Sequence, residues 1–552
     1  MTALIAIGLD AADPALLESW MAAGYLPTLA SLKQQGSYGQ LSNVEHYRAE
    51  TPWTTFISGK APEDTGYWGP VKFDPTTYDV TEVGAYDYQE HPPFYALGCN
   101  RKVIAFDIPQ SSLSENLDGV HVLGWGAHSP MTASHSTPSE AIADIIAEHG
   151  EHPAFLKDFA ECRDLDALKR LQKALAIGID RKADICATLL NRHDWDLFLT
   201  IFGESHTAGH YMWHLSQSDH PLYCMAGTGA EDLMLKTFVE IDEAIGKILK
   251  ASPKDANVVI FSAHGMGTNV MDLPSMVFLP ELLHRYSFSG KVALAPGKIG
   301  APVAPVKTSF DRKRGWLGEI WNLRAPLNPL TRWLRTNMPV RVQKPLDIFF
   351  NRLAQPSVLC PSTLENAGDS LFWQPARWYA PLWPQMKAFA IPSYSEGYIR
   401  INLKGREQNG LVEPADYDAV CNELTAMMNQ LTDARTGQPL VERVVRIRQN
   451  GFDTDSKLPD ADLVVLWQDD LPSDVVDAPG YGRIGPIPHH RTGSHRAHGF
   501  LLANGPDIQA DQFSAGGHAL DLAPTLLGLL GISETGNLSG RNLAERDSMV
   551  VG

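Results

Sequence analysis

Short apolar runs of strand length recur along this chain, separated by longer helical patterns, and several of them stop on a residue type that binds metals or attacks electrophiles. LIAIGL ends at Asp10, LFLTIF leads into Glu204 and His206, and VVIFS is followed by Ala263 and His264. Alternation of β-rich runs with helices is the pattern of a mostly parallel sheet covered on both faces. Open sheets of this kind gather ligands outside the carboxyl ends of their strands. The predicted fold is therefore a doubly wound α/β core with one metal site where the strands end.

Predicted strands lie near Leu4–Leu9, Val103–Phe106, Val120–Leu123, Leu197–Phe202, Val258–Ser262, Leu463–Leu466 and Phe500–Ala503. PALLESWMAAG, EAIADIIAEHG, LKRLQKALAIGIDRKADICATLLNRH and LKTFVEIDEAIGKILKAS read as helices, several with Gly or His near the C-terminal end. From about 288 to 385 the pattern gives way to proline, tryptophan and arginine, with Arg312, Lys313, Arg314, Arg324, Arg332, Arg335 and Arg341 among Trp316, Trp321 and Trp333. The expected organisation is an α/β core over 1–287 and 386–552 with an inserted basic cap or lid over 288–385. Its cations would attract an anionic substrate or a membrane surface, or else stand solvated while the tryptophans pack.

Composition narrows the class. With 552 residues, 44% hydrophobic and 20% charged, the chain is an ordinary globular one, and its net charge of −18 argues against a broad grip on nucleic acid. Six cysteines without a CxxC pair read as reduced thiols, and no run approaches the roughly 20 apolar residues of a membrane span. The expectation is a cytoplasmic enzyme acting on a small anionic molecule, with no nucleic acid and no membrane insertion. Oligomeric state is open.

The candidate site residues each have a plain structural alternative. Asp10 can bind a cation at its strand end, or cap the helix beginning near Pro14. In ETPWTT, Thr51 before Pro52 is a favoured helix start, which would set its hydroxyl among free backbone N–H groups and make it a nucleophile if a metal lowered its pKa. His206 and His210 stand four apart, so both imidazoles share one helical face, and His214 continues that stripe. His495, in a Gly/Ser loop, is a third ligand candidate, and three histidines leave a position open for water or substrate. His264 follows a strand and precedes a glycine. Any one of these histidines could be a satisfied core residue; together at strand ends they point to metal.

With those residues in place, the chain resembles the alkaline phosphatase superfamily, in its type I phosphodiesterase/nucleotide pyrophosphatase branch. IAIGLDAADPALL, TPWTTFISGKAPEDTG, FGESHTAGHYMWH, VVIFSAHGMG, AFAIPSYSEGYIRINLKGRE, TGSHRAHGFLLANGPDI and ALDLAPTLLGLLGI follow that family's order. The resemblance implies two zinc ions clamping a phosphoryl group, with Asp10, Thr51 and His264 at one and His206, His210 and His495 at the other, and Thr51 as nucleophile. It departs in three places. The usual SDHG is Ser262-Ala263-His264-Gly265, an expected aspartate is His206, and the spacing around Thr51 is short, which leaves Thr54 as the runner-up nucleophile. One zinc firmly bound and a second weakened by Ala263 is what this implies, unless Glu50 or Glu204 compensates.

The function expected is a metal-dependent phosphoric-ester hydrolase. Its alternatives are a mono-zinc enzyme with a three-histidine site acting on a non-phosphodiester substrate, and a non-catalytic binding protein of the same fold. Substrate identity is not legible; Arg483, His489, His490 and the loop Gly124 to His128 are candidates to line the pocket.

Overall fold

The computed structural model describes the chain except positions 1, 45, 50, 84–89, 127–131, 156–163, 227–230, 301–314, 326–329, 331–332, 334–337, 354–356, 534–536 and 546–552. Its centre is a nine-stranded sheet. Five strands at the middle of it run parallel, in the spatial order Leu117–Leu123, Gly98–Phe106, Leu197–Phe202, Leu4–Leu9 and Asn257–Ser262. His498–Asn504 then adds antiparallel against Asn257–Ser262, and Ser37–Ser42 antiparallel against His498–Asn504. The α/β class read from the sequence is the observed one.

Every residue of Leu4–Leu9 is buried, as a strand covered on both faces requires. Its side chains divide with the two-residue period: Ile5, Ile7 and Leu9 join the core beneath the helices Leu165–Arg192 and Leu233–Ala251, while Leu4 and Ala6 join the opposite core with Trp53, Phe56 and the Leu522–Leu529 helix. Those two long helices carry pronounced apolar faces and begin at Asp164 and Asp232, whose side chains accept the Ala167 and Leu235 amides.

A third core stands apart from the sheet. It gathers Trp316, Trp321, Trp378, Trp383, Phe389 and Trp467 around a four-stranded antiparallel sheet, in the order Ala388–Ile391, Gly397–Ile401, Leu463–Trp467, Val441–Arg446. Leu463–Leu466, expected in the parallel core, is thus part of a strand of this second sheet. An all-apolar run reports burial on both faces but not which sheet supplies it. The same core takes in Met276, Leu282 and Ile484, so it reaches beyond residues 288–385 on both sides.

Within 288–385, Trp316 and Trp321 are buried and Trp333 is exposed. Arg324 is tied to the Ala325 carbonyl and to Ser357, and Arg341 is exposed. Arg312, Lys313, Arg314, Arg332 and Arg335 lie outside the described residues. No disulfide joins the described cysteines, and no described helix is long and apolar enough to cross a membrane.

Candidate metal centre

The carboxyl ends of three parallel strands supply the site. Leu4–Leu9 delivers Asp10, Leu197–Phe202 feeds the Glu204–Ser216 helix that carries His206 and His210, and Asn257–Ser262 turns into a short ribbon after His264. That ribbon pairs Gly265–Thr268 antiparallel with Gly493–Arg496, in a register that sets Met266 against His495. His495 is thereby carried from a remote part of the chain to the ends of the strands.

Two glycines permit the helix and ribbon to approach closely enough. A Cβ on Gly493 would fall 2.2 Å from the Gly209 carbonyl oxygen, and one on Gly209 would fall 2.8 Å from Met266 Cε. The clash at Gly493 is with backbone, so a side chain there would push the ribbon bearing His495 away from the helix, whereas at Gly209 the flexible end of Met266 would have to move. Thr492 adds a backbone clasp, its N–H donating to the His210 carbonyl at 2.7 Å.

The result is three buried imidazoles facing one point. His210 Nε2 lies 3.1 Å from His206 Nε2 and 3.2 Å from His495 Nε2. Tetrahedral nitrogen ligands of zinc would stand about 3.3 Å apart. Three ring nitrogens cannot all satisfy one another at such spacing, because each neutral imidazole has one donor and one acceptor. A shared cation resolves that conflict. The His210 Nδ1 donates to the Gly493 carbonyl at 2.8 Å, which fixes the tautomer that turns the Nε2 lone pair inward. Burial, then the neighbouring His264, His210, His206 and Arg491, hold the His495 imidazole far below the usual histidine range, so it stays neutral with a lone pair to give. Among the described residues this is the one group of His, Cys, Asp and Glu with ligand atoms converged for a metal. The donor set fits zinc or a similar divalent transition ion.

The other expected ligands form a second cluster of different character. Asp10 is fully buried; its Oδ1 accepts the Trp53 indole N–H at 2.9 Å and lies 3.6 Å from His264 Nε2. His264 packs against His495 with ring centroids 4.6 Å apart, so the two clusters adjoin. Asp10 does not cap the following helix; Asp13 does, its Oδ1 accepting the Leu16 amide at 2.8 Å. Ala263 is buried, and Asn43 Nδ2 donates to its carbonyl at 2.8 Å.

Thr51 stands at the start of the Pro52–Ser58 helix, as its motif suggests, but its hydroxyl does not cap that helix. With φ −89° and ψ −24°, Thr51 is itself helical, and its Oγ1 donates to the Tyr47 carbonyl at 3.0 Å. A threonine with helical angles can donate to the carbonyl four residues back, which turns the hydroxyl backward along the chain. Thr54 is partly buried, donating to the Thr51 carbonyl at 3.0 Å.

Of the two acids named as possible compensating ligands, Glu50 lies outside the described residues. Glu204 faces a buried ionic cluster: Oε1 is 3.0 Å from His152 Nε2 and Oε2 3.3 Å from Lys182 Nζ, which also reaches Asp107 at 2.9 Å. Burial alone would raise the Glu204 pKa, but Lys182 and the His152 hydrogen bond overrule it and hold the carboxyl down at about 2. Both of its oxygens are thus engaged, and the cluster anchors the first turn of the histidine-bearing helix.

His214 bonds Thr492 Oγ1 through Nδ1 at 3.1 Å, and burial followed by His489 lowers it to about 4. His490 stacks on Trp316 with centroids 4.7 Å apart, and Trp316 donates to the Pro488 carbonyl at 2.7 Å, joining the third core to the loop before His495. Arg483 instead pairs with Asp477 at 2.7 Å on a partly exposed strand. In the Gly124 loop, the Trp125 and Gly126 amides donate to Asp107 in the Lys182 cluster, and positions 127 and 128 lie outside the described residues. Two residues at the site are not singled out by the sequence: Trp53, on Asp10, and Arg491, whose Nη1 is 3.1 Å from His210 Nε2. The signal for Arg491 is its place four residues before His495.

No curated protein matches the chain in sequence. Among solved structures, phosphonoacetate hydrolase from Sinorhizobium meliloti 1021 in complex with phosphonoformate is 11% identical, with 96% of this chain and 95% of that one covered and a TM-score of 0.48. Human ectonucleotide pyrophosphatase/phosphodiesterase 5 is 13% identical, with 97% and 96% covered and a TM-score of 0.42. At those values neither similarity bears on substrate. The family model for type I phosphodiesterase / nucleotide pyrophosphatase matches residues 4–305, more than half of the chain and the whole stretch that delivers Asp10, Thr51, His206, His210 and His264. This protein belongs to that family of phosphoester hydrolases.

Proposed function

We propose that this protein is a metal-dependent phosphoester hydrolase working around one firmly held zinc ion in the His206, His210 and His495 triad. The observation that carries the reading is the convergence of three buried imidazole nitrogens at 3.1 and 3.2 Å in a member of this family. Zinc bound there supplies a Lewis acid that draws charge from a phosphoryl oxygen. Asp10 and His264 form the neighbouring half of the site, where a second ion is held weakly because Ala263 contributes no carboxylate and the Trp53 N–H engages Asp10. Thr51 is the nucleophile on this reading: its oxygen would bond to phosphorus as the ester oxygen leaves, the hydroxyl proton going to the departing alcohol, and water would then cleave the phosphothreonine, freeing the phosphate monoester and restoring the Thr51 hydroxyl. The core built on Trp321, Trp378 and Trp467 serves as a cap whose loops near Trp316 shape the pocket. The substrate is a small anionic phosphoester, and the compartment is the cytoplasm.

The test is elemental mass spectrometry of the purified chain beside an assay of bis(p-nitrophenyl) phosphate cleavage across zinc concentrations. One retained equivalent with metal-titratable cleavage is the expected result. A chain that retains no metal and cleaves no phosphoester under any divalent ion would sink the proposal. A second reading is favoured by Ala263 and Trp53 alone: a mono-zinc enzyme acting on a substrate other than a phosphodiester. One zinc equivalent without any phosphodiester cleavage would select it.

A further inference from the structure

The inward lone pair of His210 is contested. Its Nε2 has His206 Nε2 and His495 Nε2 on two sides and Arg491 Nη1 at 3.1 Å on a third. Of these neighbours, the guanidinium keeps both its protons and its charge at any ordinary pH. It is also held from behind: Arg491 Nε donates to Asp272 Oδ2 at 2.9 Å and Nη2 to Asp272 Oδ1 at 2.7 Å. Asn269 Nδ2 donates to the same carboxylate at 2.8 Å. Burial would raise the Asp272 carboxyl, but the Arg491 charge and hydrogen bonds hold it below its ordinary range, so the pair stays ionic. With one edge of the fork locked on Asp272, the Nη1 end remains aimed at the triad.

His210 cannot yield by turning its ring, because Nδ1 is committed to the Gly493 carbonyl. A cation that takes the Nε2 lone pair therefore displaces the Arg491 N–H from that acceptor while leaving it beside the metal. Two positive groups in a buried site repel one another unless an anion lies between them. The triad itself brings no negative charge, and the Asp10 carboxylate is turned to Trp53 and His264.

We infer that Arg491 is the substrate-anion ligand of this centre, donating through Nη1 to a charged oxygen of a phosphoryl group bound beside the His206, His210 and His495 triad. Before metal binds, the same N–H rests on His210 Nε2; afterwards its acceptor is the substrate. Asp272 is the positioning residue that holds the fork in place. The inference rests on the metal-dependent phosphoester reading above and adds to it the group that recognises the phosphoryl charge.

The test begins with the native chain, stripped by a chelator and titrated with zinc against a chromophoric competitor, then titrated with inorganic phosphate by calorimetry. A native chain that takes up no zinc ends the metal reading at this first step, before any variant is made. Zinc-loaded protein with no affinity for phosphate overturns the inference alone. In Arg491→Met, zinc affinity is expected to hold or rise severalfold, because a competing donor and a positive charge are gone, while phosphate affinity falls roughly ten- to hundredfold. Arg491→Lys is expected to recover only part of the phosphate affinity, since an ammonium lacks the fork that Asp272 grips. Phosphate affinity within about twofold of native in Arg491→Met overturns the inference. So does a joint fall of zinc affinity, phosphate affinity and melting temperature, which marks a brace rather than a ligand. If Arg491→Met does not fold, Asp272→Asn serves: phosphate binding weakens severalfold with zinc affinity retained, and unchanged phosphate binding counts against the inference.

Discussion

The two halves of the site adjoin at His264 and His495, yet they are built on opposite principles. The half around His210 consists of three imidazoles whose ring nitrogens converge, with the outer nitrogen of His210 fixed by a backbone carbonyl. The half around Asp10 pairs a carboxylate with one imidazole, with the Trp53 indole N–H on Asp10 Oδ1 and an alanine where an acidic ligand is expected. A site of the first kind needs an ion to resolve its own crowding. In one of the second kind, an ion taking Asp10 Oδ1 must compete with the Trp53 hydrogen bond already made there.

The sharpest way to break this comparison is to remove His210. His210→Ala is expected to lose the bound zinc and, with it, metal-dependent phosphoester cleavage, by more than about a hundredfold in metal affinity. Elemental analysis after desalting reads this directly; one retained equivalent would relocate the firm site to the Asp10 half. Thr51→Ala comes next. Turnover on an aryl phosphodiester is expected to fall on the order of a thousandfold with zinc content unchanged, because a nucleophile is removed and no triad ligand is touched. If only Thr54→Ala reduces turnover, the nucleophile lies one turn further along the helix.

How much of this is legible in the sequence differs between the halves for physical reasons. The strand ends at Asp10 and His264 and the His206/His210 pair are local patterns, so apolar periodicity and helical spacing expose them. The partnership of His495 with that pair depends on a ribbon that joins Met266 to His495, residues remote in sequence, and no local pattern encodes it. The Thr-Pro motif promises a cap at Thr51, but Thr51 itself adopts helical backbone angles and its hydroxyl donates back to the Tyr47 carbonyl. Trp53 is not singled out in the sequence, since nothing in PWTTF says that its N–H meets a buried carboxylate. Leu463–Leu466 reads as a buried strand, which it is, but of the other sheet, because burial is written in residue type and topology is not.

A gentler test asks whether the Asp10 half can be converted to the other kind. Ala263→Asp restores an anionic donor beside His264, and the expected result is a rise from one zinc equivalent toward two at saturating zinc. Trp53→Phe removes the N–H from Asp10 Oδ1, at a cost of about 1.5–3 kcal/mol in stability of the metal-free protein, because a charged acceptor loses a partner. The same change frees a lone pair for an ion, so with the triad already loaded, zinc beyond one equivalent is expected to raise the melting temperature of Trp53→Phe and to add little to the native chain. Stoichiometry fixed at one in both variants would show that the lost carboxylate is not what limits the second site.

The smallest expected effect concerns the seam between the halves. Ser205 Oγ lies 2.7 Å from the Asp10 carbonyl and 2.8 Å from the Phe202 carbonyl, so one hydroxyl ties the strand end that bears Asp10 to the first turn of the helix that bears His206 and His210. It is buried and lies next to His206 in the chain, yet it donates to backbone. Ser205→Ala therefore removes a shared hydrogen bond without adding volume or touching a ligand, and should cost about 1 kcal/mol of stability. If the triad is fixed by its own contacts with Gly493 and the ribbon, zinc affinity in this variant stays near native while the melting temperature drops slightly. A marked loss of zinc affinity would instead mean that the geometry of the triad depends on the Asp10 strand end, and that the two halves are one mechanical unit despite their different chemistry.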